Sequence, residues 1–556
     1  MRTRYAPSGA HRPTDETRRR RFAWVSLAAF LALTALHTWP LALAPGSLSR
    51  NDNFDTVLHE WTLAWLAHQL AHDPLHLFDA NIFYPEGLTL AYSDHLFIPG
   101  VFGAPLIWAG LSPVLVYNLL LMSGLALTGW VMSLTMHDWT GSRMAGLISG
   151  SLVAFNAFTL TRLPQLQDQH LYFLPLALCA LDRLVRVPSL RHAMSLAGWF
   201  VLQALTTGYW LLFATVAMVV GAAARVGEWS APARRAFVPY AMLAGLVAGV
   251  VMLPFLMPYW TVSREQGLTR DLDEVAQFSA HFSSYLATTS WVHYGAWSHR
   301  FFEAEALFPG VLGLSLAAAA VGSGVAFRDV RARMALAFGV AAFALSFGPA
   351  MPGYTMLYDL VPLLTGIRGA SRFGQLWLVA LAILAGFGWV TLRDAVARAA
   401  IPSARRLLVP LGAAVLVGVH AEALVAPIEY VEFEGIPPVW DELQTTGEDA
   451  VLAFFPFYDL ENVSVNARYM LRSTGSFRPM LNGYSGFTPQ SYLRHVEAME
   501  EFPDPASIGY LRQLGVTHAV VEGHLMSDIR LGLIQESPAL QLAFTDGDVQ
   551  IYVLRE

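Results

Sequence analysis

The chain has 556 residues, of which 55% are hydrophobic and only 14% are charged, with a formal net charge of −7. Soluble globular proteins carry about 25% charged residues, so this composition excludes a disordered chain and indicates a membrane protein. The few charges and the negative balance also exclude a nucleic-acid-binding surface. All 35 basic residues are arginines, which excludes a lysine nucleophile, and the single cysteine, Cys179, excludes an intrachain disulfide.

The hydrophobic residues are concentrated in long runs, and a run of about 20 residues matches the thickness of a bilayer core. The first run, residues 22–44, follows four arginines and is longer than the hydrophobic part of a signal peptide, so it predicts an uncleaved anchor. Ten further runs are predicted to span the membrane: 113–135, 144–161, 171–186, 192–207, 209–224, 236–256, 307–327, 334–349, 373–392 and 407–426. Together they predict an α-helical polytopic membrane protein with eleven spans.

A twelfth apolar run, residues 96–111, is short and is interrupted by Pro99 and Pro105. If this run lies in the membrane interface, the loops on one side hold 21 arginines and the opposite loops hold seven. Because positively charged loops stay in the cytoplasm, the asymmetry predicts a cytoplasmic basic tail over residues 1–21 and an extracytoplasmic C-terminal segment. These features predict a multi-pass membrane protein with a cytoplasmic N-terminus.

Two long outer segments, residues 45–112 and 257–306, interrupt the predicted transmembrane domain, which covers residues 22–426. In the first segment, residues 55–72 have helical periodicity, and an apolar stripe there carries two tryptophans. Tryptophan is common in the headgroup layer, so the pattern predicts an amphipathic helix lying on the membrane surface.

The last part of the chain, residues 427–556, changes character after two consecutive prolines. It holds a helix candidate at 505–514 and three strand candidates, at 450–455, 517–521 and 549–554. This alternation predicts a small extracytoplasmic α/β domain with a core of its own.

Candidate catalytic carboxylates lie just after the first span, at Asp52 and Asp55. A partly desolvated carboxylate at the water–lipid boundary can act as a general base on an acceptor hydroxyl. The alternative is structural, because an aspartate at this position can also cap the N-terminus of the following helix, and Asp52 can be a turn residue.

Two short carboxylate–histidine pairs also occur in the outer loops, Asp94 with His95 and Asp168 with His170. Such pairs are candidate ligands for a divalent cation, Mg²⁺ or Mn²⁺, or candidate acid–base groups. Loop polarity and helix capping are the alternatives for each pair.

Three arginines stand on the arginine-poor side, Arg162 after the third span and Arg368 and Arg372 before the tenth. A guanidinium group makes bidentate contacts with phosphate, so these residues are candidate ligands for the phosphate of a lipid-linked substrate. Anchoring in the lipid headgroup layer is the alternative.

The predicted topology resembles the GT-C superfamily of polytopic glycosyltransferases. It consists of one span, a long outer loop that opens with acidic residues, many further spans and an outer C-terminal domain. Segments 55–95, 360–388 and 478–492 resemble a group of bacterial membrane proteins assigned to that superfamily. The resemblance implies transfer of a sugar from a polyprenyl-phosphate donor to a glycan or glycolipid acceptor. It places the catalytic acid at Asp55, with Asp52 as second choice.

Two other functions stay open from the sequence. A transporter or flippase for a lipid-linked glycan is disfavoured, because the spans are nearly free of charge and contain no visible repeat. A noncatalytic assembly protein with the same fold stays open, because the first loop lacks the adjacent pair of acidic residues found in some members of the superfamily.

Overall fold

The structure is a computed structural model that describes residues 13–267, 270–301, 305–398, 406–447 and 449–555. The start of the predicted basic tail and Arg405, which contributes to the arginine count, lie outside the described residues. Helices of the first 426 residues are α1 (Pro13–His37), α2 (Phe54–His72), α3 (Phe97–Trp108), α4 (Pro113–Thr140), α5 (Arg143–Ala154), α6 (Ala157–Thr161), α7 (Phe173–Arg186), α8 (Leu190–Ala204), α9 (Gly208–Ala223), α10 (Val226–Trp229), α11 (Phe237–Glu265), α12 (Leu272–Gln277), α13 (Trp291–Ala296), α14 (Val311–Gly322), α15 (Val325–Arg328), α16 (Val330–Ser346), α17 (Tyr354–Leu360), α18 (Phe373–Arg398) and α19 (Leu408–Ala423).

Each of the eleven predicted spans coincides with helical structure: α1, α4, α5 with α6, α7, α8, α9, α11, α14 with α15, α16, α18 and α19. Within the described ranges, four helical stretches are long and apolar enough to cross a membrane by length and composition: Pro113–Thr140, Arg143–Thr161, Phe237–Glu265 and Ala370–Arg398. The doubtful run at 96–111 forms α3, a 12-residue helix that contains Pro105. This helix is as short as α14, which also has 12 residues, so length does not separate it from the predicted spans and its interfacial placement stays a prediction.

The centre of the bundle is α18, which packs against α5, α14 and α16 and is buried along most of its length. Close approach of its backbone to α14 requires glycine, since a Cβ atom at Gly388 would lie 1.8 Å from the carbonyl oxygen of Leu316. Small residues at such crossings bring the backbones of membrane helices together.

The prediction that α2 lies on the membrane surface is wrong. Its residues Thr56–Ala67 are all buried, and Trp61 and Trp65 are only 1% and 4% exposed. The indole of Trp65 donates a hydrogen bond to the carbonyl oxygen of Leu77 at 3.0 Å. The apolar stripe therefore faces other parts of the protein, a distinction that hydrophobic periodicity does not make.

The C-terminal region folds into an α/β domain, as predicted. Its strands, with a short one from the first loop, are β1 (Leu48–Ser49), β2 (Val431–Glu432), β3 (Leu452–Phe455), β4 (His518–Glu522), β5 (Leu540–Asp546) and β6 (Val549–Leu554). Its helices are α20 (Asn466–Arg472), α21 (Gln490–Met499), α22 (Pro505–Gln513) and α23 (Asp528–Glu536). The four-stranded sheet has the order β3-β4-β6-β5, in which β3 and β4 are parallel and the other pairs antiparallel. The sequence missed β5, most of which is solvent-exposed.

The first loop and the C-terminal domain form one unit at the same end of the bundle. β1 pairs with β2 in an antiparallel arrangement. The backbone of residues 81–84 exchanges hydrogen bonds with residues 480–482, including Tyr84 N–H to the Met480 carbonyl oxygen at 2.9 Å. One hydrophobic cluster also joins Trp61 of α2 with Phe454 of β3 and Val520 of β4. Helix α2 is thereby held between the membrane helices and the C-terminal domain.

Candidate functional site

Asp55 lies in the first turn of α2. The helix is capped by Asn53, whose side-chain oxygen accepts a hydrogen bond from the backbone N–H of Asp55 at 2.9 Å. The capping alternative for Asp55 is therefore wrong, and its carboxylate makes other contacts. Its Oδ2 accepts a hydrogen bond from Gln165 at 2.9 Å, and its Oδ1 accepts one from the hydroxyl of Tyr484, also at 2.9 Å.

These surroundings keep Asp55 ionised. Burial by itself would raise the pKa of its carboxyl, but His59 one turn further along α2, the two hydrogen bonds and the charge of Arg372 act in the opposite direction. The net effect holds the pKa of Asp55 below its ordinary value. A half-buried carboxylate that is ionised and fixed in position is suited to stabilise positive charge that develops next to it.

The charge of Arg372 acts on this carboxylate. This residue lies just before α18, and its guanidinium sits over the ring of Tyr209 at 4.3 Å from the ring centre. Among the described residues the guanidinium makes no hydrogen bond and no ion pair at contact distance. The charges of Asp168, Glu305 and Asp94 act on it from further away. Its five N–H donors are therefore available to a ligand.

Arg368 lies on the same segment as Arg372 and is more exposed than Arg372. Its guanidinium is 4.6 Å from the centre of the Phe278 ring, and its charge acts on Tyr484, the residue that donates to Asp55. The structure therefore brings together Asp55, Arg368 and Arg372, three of the residues singled out from the sequence.

Arg162 has a different environment. Its Nε lies 2.7 Å from Asp168 and its Nη1 lies 3.1 Å from Glu305, and all three side chains are largely buried. Two carboxylates therefore already compensate its charge. A phosphate-binding role for Arg162 stays a prediction, which this pairing disfavours, and Asp168 serves as an ion-pair partner.

Asp94 and His95 are near the same region, and each makes a separate hydrogen bond to a backbone N–H group. Asp94 accepts hydrogen bonds from the backbone N–H of Gly208, at the start of α9, at 3.0 Å, and from Gln167 at 3.4 Å. His95 accepts one from the backbone N–H of Phe97 at 3.0 Å, and burial lowers its pKa to about 4. The imidazole is therefore neutral near pH 7.

His170 is fully buried, and burial lowers its pKa to about 4. Its Nδ1 lies 3.3 Å from the hydroxyl of Tyr172. Within the ranges that the structure describes, no three His, Cys, Asp or Glu side chains form a group that could hold a metal ion. Divalent-cation binding at Asp94, His95, Asp168 and His170 stays a prediction.

Asp52 takes no part in the hydrogen bonds that hold Asp55. Its carboxylate pairs with Arg50 at 3.1 Å, and its side chain is 48% exposed. Desolvation is therefore much weaker at Asp52 than at Asp55.

Sequence reasoning missed four residues of this site: His59, Gln165, Glu305 and Tyr484. Their contacts join three loops and the C-terminal domain, and none of them forms a motif by local spacing. Tyr484 does lie within segment 478–492, one of the three segments that carry the GT-C resemblance.

No protein-family model matches the sequence, and no curated protein matches it either. Among solved structures, the arabinofuranosyltransferase AftD from Mycobacteria superposes with a TM-score of 0.60 at 16% identity, covering 96% of this chain and 40% of AftD. The Archaeoglobus fulgidus oligosaccharyltransferase gives a TM-score of 0.48 at 12% identity, covering 91% of this chain and 69% of that one. ArnT from Cupriavidus metallidurans bound to undecaprenyl phosphate gives 0.45 at 12% identity, covering 96% of this chain and 97% of ArnT.

The chain therefore spans about 40% of the length of AftD, and nearly all of it takes part in the superposition. The chain therefore has the fold seen in AftD, an arabinofuranosyltransferase.

Proposed function

We propose that the protein is a membrane glycosyltransferase of the bacterial cell envelope. It moves a sugar from a polyprenyl-phosphate donor to a hydroxyl group of a glycan or glycolipid acceptor, at the extracytoplasmic face of the inner membrane. The observation that carries this proposal is the juxtaposition of Asp55, a fixed and ionised carboxylate, with Arg372, an arginine that has no carboxylate in contact with it. The fold shared with AftD, an arabinofuranosyltransferase, supports the same class of activity.

The charges of Arg372 and Asp55 suit the donor phosphate and the acceptor hydroxyl of a glycosyl transfer, respectively. The donor phosphate binds at Arg372, with Arg368 beside it, because guanidinium groups bind phosphate through paired hydrogen bonds. The positive charge also stabilises the phosphate as it leaves the anomeric carbon.

Asp55 lies on the acceptor side of the sugar. The acceptor oxygen attacks the anomeric carbon from the face opposite the phosphate, so the configuration is inverted. The acceptor hydroxyl gives up its proton to a basic side chain beside Asp55 during this attack, and the carboxylate stabilises the positive charge that develops. Acid–base assistance of this kind contributes about 10²–10⁴-fold to a rate.

The test is an analysis of lipid-linked sugars and envelope glycans in a deletion strain. We expect the unused donor to accumulate and the envelope glycan to lack one sugar, and we expect the wild-type gene to restore both. Asp55→Asn should restore them only weakly. Asp73→Asn, which changes an exposed aspartate of the same loop that pairs with His76, is the matched control and should restore them.

Two results would contradict the proposal. Accumulation of a complete lipid-linked glycan at the inner leaflet would indicate a flippase. Full restoration by Asp55→Asn would remove Asp55 from the reaction centre.

A further inference from the structure

His59 lies one helical turn after Asp55 on the same face of α2, and its ring is only 4% exposed. Its Nδ1 is 3.1 Å from the carbonyl oxygen of Pro164. A carbonyl oxygen can only accept a hydrogen bond, so Nδ1 carries the proton and Nε2 carries the free lone pair. The protein therefore fixes the tautomer of this imidazole.

The second ring nitrogen of His59, Nε2, has no role in holding the fold together. Within the part of the chain that the structure describes, Nε2 of His59 takes part in no hydrogen bond. The charged groups that act on the ring are carboxylates from three elements: Asp55 on α2, Asp94 in the loop before α3 and Asp168 in the loop before α7. An imidazolium formed here would be stabilised by all three.

Asp55 is less suited to receive a proton. Each of its two oxygens already accepts a hydrogen bond, from Tyr484 and from Gln165. Both bonds favour the ionised form, and the pKa of Asp55 lies below its ordinary value. A carboxylate stabilised in this way is a weak proton acceptor.

We propose that Nε2 of His59 accepts the proton of the acceptor hydroxyl, while the Asp55 carboxylate stabilises the imidazolium that results. This inference rests on the proposed glycosyltransferase function and names the proton acceptor within it. The O–H bond of the acceptor breaks and its proton moves to Nε2. The electron pair that it leaves on oxygen forms the new bond to the anomeric carbon. The bond from that carbon to the phosphate oxygen breaks, and its electron pair leaves with the phosphate.

The pH dependence distinguishes the two candidate bases. Burial lowers the pKa of His59, and the three carboxylates act in the opposite direction, with a net pKa below the ordinary value. Activity should therefore fall on the acid side as His59 becomes protonated. Removal of the Asp55 charge should lower the pKa of His59 further and move this acid limb to lower pH.

The experiment measures kcat/KM as a function of pH with the purified full-length protein. The donor is the lipid-linked sugar that accumulates in the deletion strain, and the acceptor is the envelope glycan from the same strain. The variants are His59→Asn, whose amide can keep the hydrogen bond to Pro164, Asp55→Asn, and His76→Gln as an exposed histidine control.

We expect His59→Asn to lower kcat by about 10²–10⁴-fold, to leave KM for the donor nearly unchanged and to abolish the acid limb. Asp55→Asn should keep an acid limb that is shifted to lower pH, and His76→Gln should match the wild type. Retention of the acid limb in His59→Asn would overturn the inference, and so would its loss in Asp55→Asn.

If His59→Asn does not fold, the pH profile of kcat/KM for Asp55→Asn still tests whether His59 is the proton acceptor. Failure of the proposed function is distinguishable, because the wild-type protein would then transfer no sugar and no donor would accumulate in the deletion strain.

Discussion

The hydroxyl of Tyr484, in the C-terminal domain, donates a hydrogen bond of 2.9 Å to Asp55, which lies 429 residues earlier in the chain. Burial raises the pKa of Tyr484 well above its ordinary value, so the hydroxyl stays protonated and remains a donor. The C-terminal domain therefore does more than cover the membrane helices, because it supplies one of the two groups that hold the candidate catalytic carboxylate.

Tyr484→Phe removes this hydrogen bond without changing the ring. A hydrogen bond to a charged group is worth about 1.5–3 kcal/mol, so we expect transferase activity to fall by roughly tenfold or more. Because the lost bond favoured the ionised form, the pKa of Asp55 should rise. The measurement is the rate of sugar transfer, with the melting temperature as a check on folding.

Tyr552→Phe is the matched control for this variant. It removes a tyrosine hydroxyl from the same domain that donates to Gln550 at 2.6 Å and does not contact Asp55. An equal loss of activity in both variants would show that the effect of Tyr484→Phe is general destabilisation of the domain.

Arg372→Gln tests the phosphate site. We expect KM for the lipid-linked donor to rise by about 10–100-fold, because a charge-assisted contact to phosphate is lost, while the fold is retained since no buried ion pair is broken. Steady-state kinetics with varied donor concentration is the measurement. Arg264→Gln, which changes an exposed arginine that lies over the ring of Trp260, should leave KM unchanged. A normal KM in Arg372→Gln would place the phosphate elsewhere.

Arg162→Met should affect stability more than substrate binding. It leaves Asp168 and Glu305 buried without their cation, and removal of one member of a buried ion pair costs roughly 3–5 kcal/mol. Thermal unfolding in detergent measures the loss. The triple variant that adds Asp168→Asn and Glu305→Gln carries no uncompensated charge and should recover most of the stability. If Arg162→Met unfolds at the wild-type temperature, the ion pairs do not support the fold.

Glu60 makes stability depend on pH. Burial raises the pKa of its carboxyl to about 8, against hydrogen bonds from Ser49 and Asn51 that act in the opposite direction. As pH rises from the unfolded pKa of 4.5 towards about 8, the unfolded chain releases this proton and the folded protein keeps it. The free energy of unfolding should therefore decrease over this interval, by at most about 1.4 kcal/mol per pH unit.

Glu60→Gln mimics the protonated side chain and should remove this decrease. The check is the melting temperature of wild type and variant at about pH 5 and pH 8, and the two should differ mainly at the higher value. Glu497→Gln, an exposed glutamate of α21, controls for the change in net charge. Parallel pH profiles of wild type and Glu60→Gln would mean that Glu60 is ionised in the folded protein.

The helices at the eleven predicted spans could be predicted because the information is local. A long apolar run needs a helix wherever it meets lipid, since only intrahelical hydrogen bonds satisfy its backbone there. The same local rule failed for α2. An apolar stripe with Trp61 and Trp65 has the same periodicity whether it faces lipid headgroups or the C-terminal domain.

The candidate site was predicted in part for a related reason. Asp55, Arg368 and Arg372 stand out because a charge near a span needs a partner or a ligand. Tyr484 and His59 do not stand out, since a tyrosine and a histidine are common in loops and helices of any protein. Their roles follow from contacts between distant parts of the chain, as in the bond between Tyr484 and Asp55.

The pairing of Asp55 with Tyr484 also has a consequence for the order of biosynthesis. The ribosome makes Asp55 early and Tyr484 only after all nineteen helices from α1 to α19 of the described chain have been made. During that interval the nascent chain holds the carboxylate without its tyrosine and α2 without the sheet that packs on it. The candidate site is therefore complete only after the C-terminal domain has been made, and any message that stops before codon 484 yields a bundle in which Asp55 lacks this hydrogen bond.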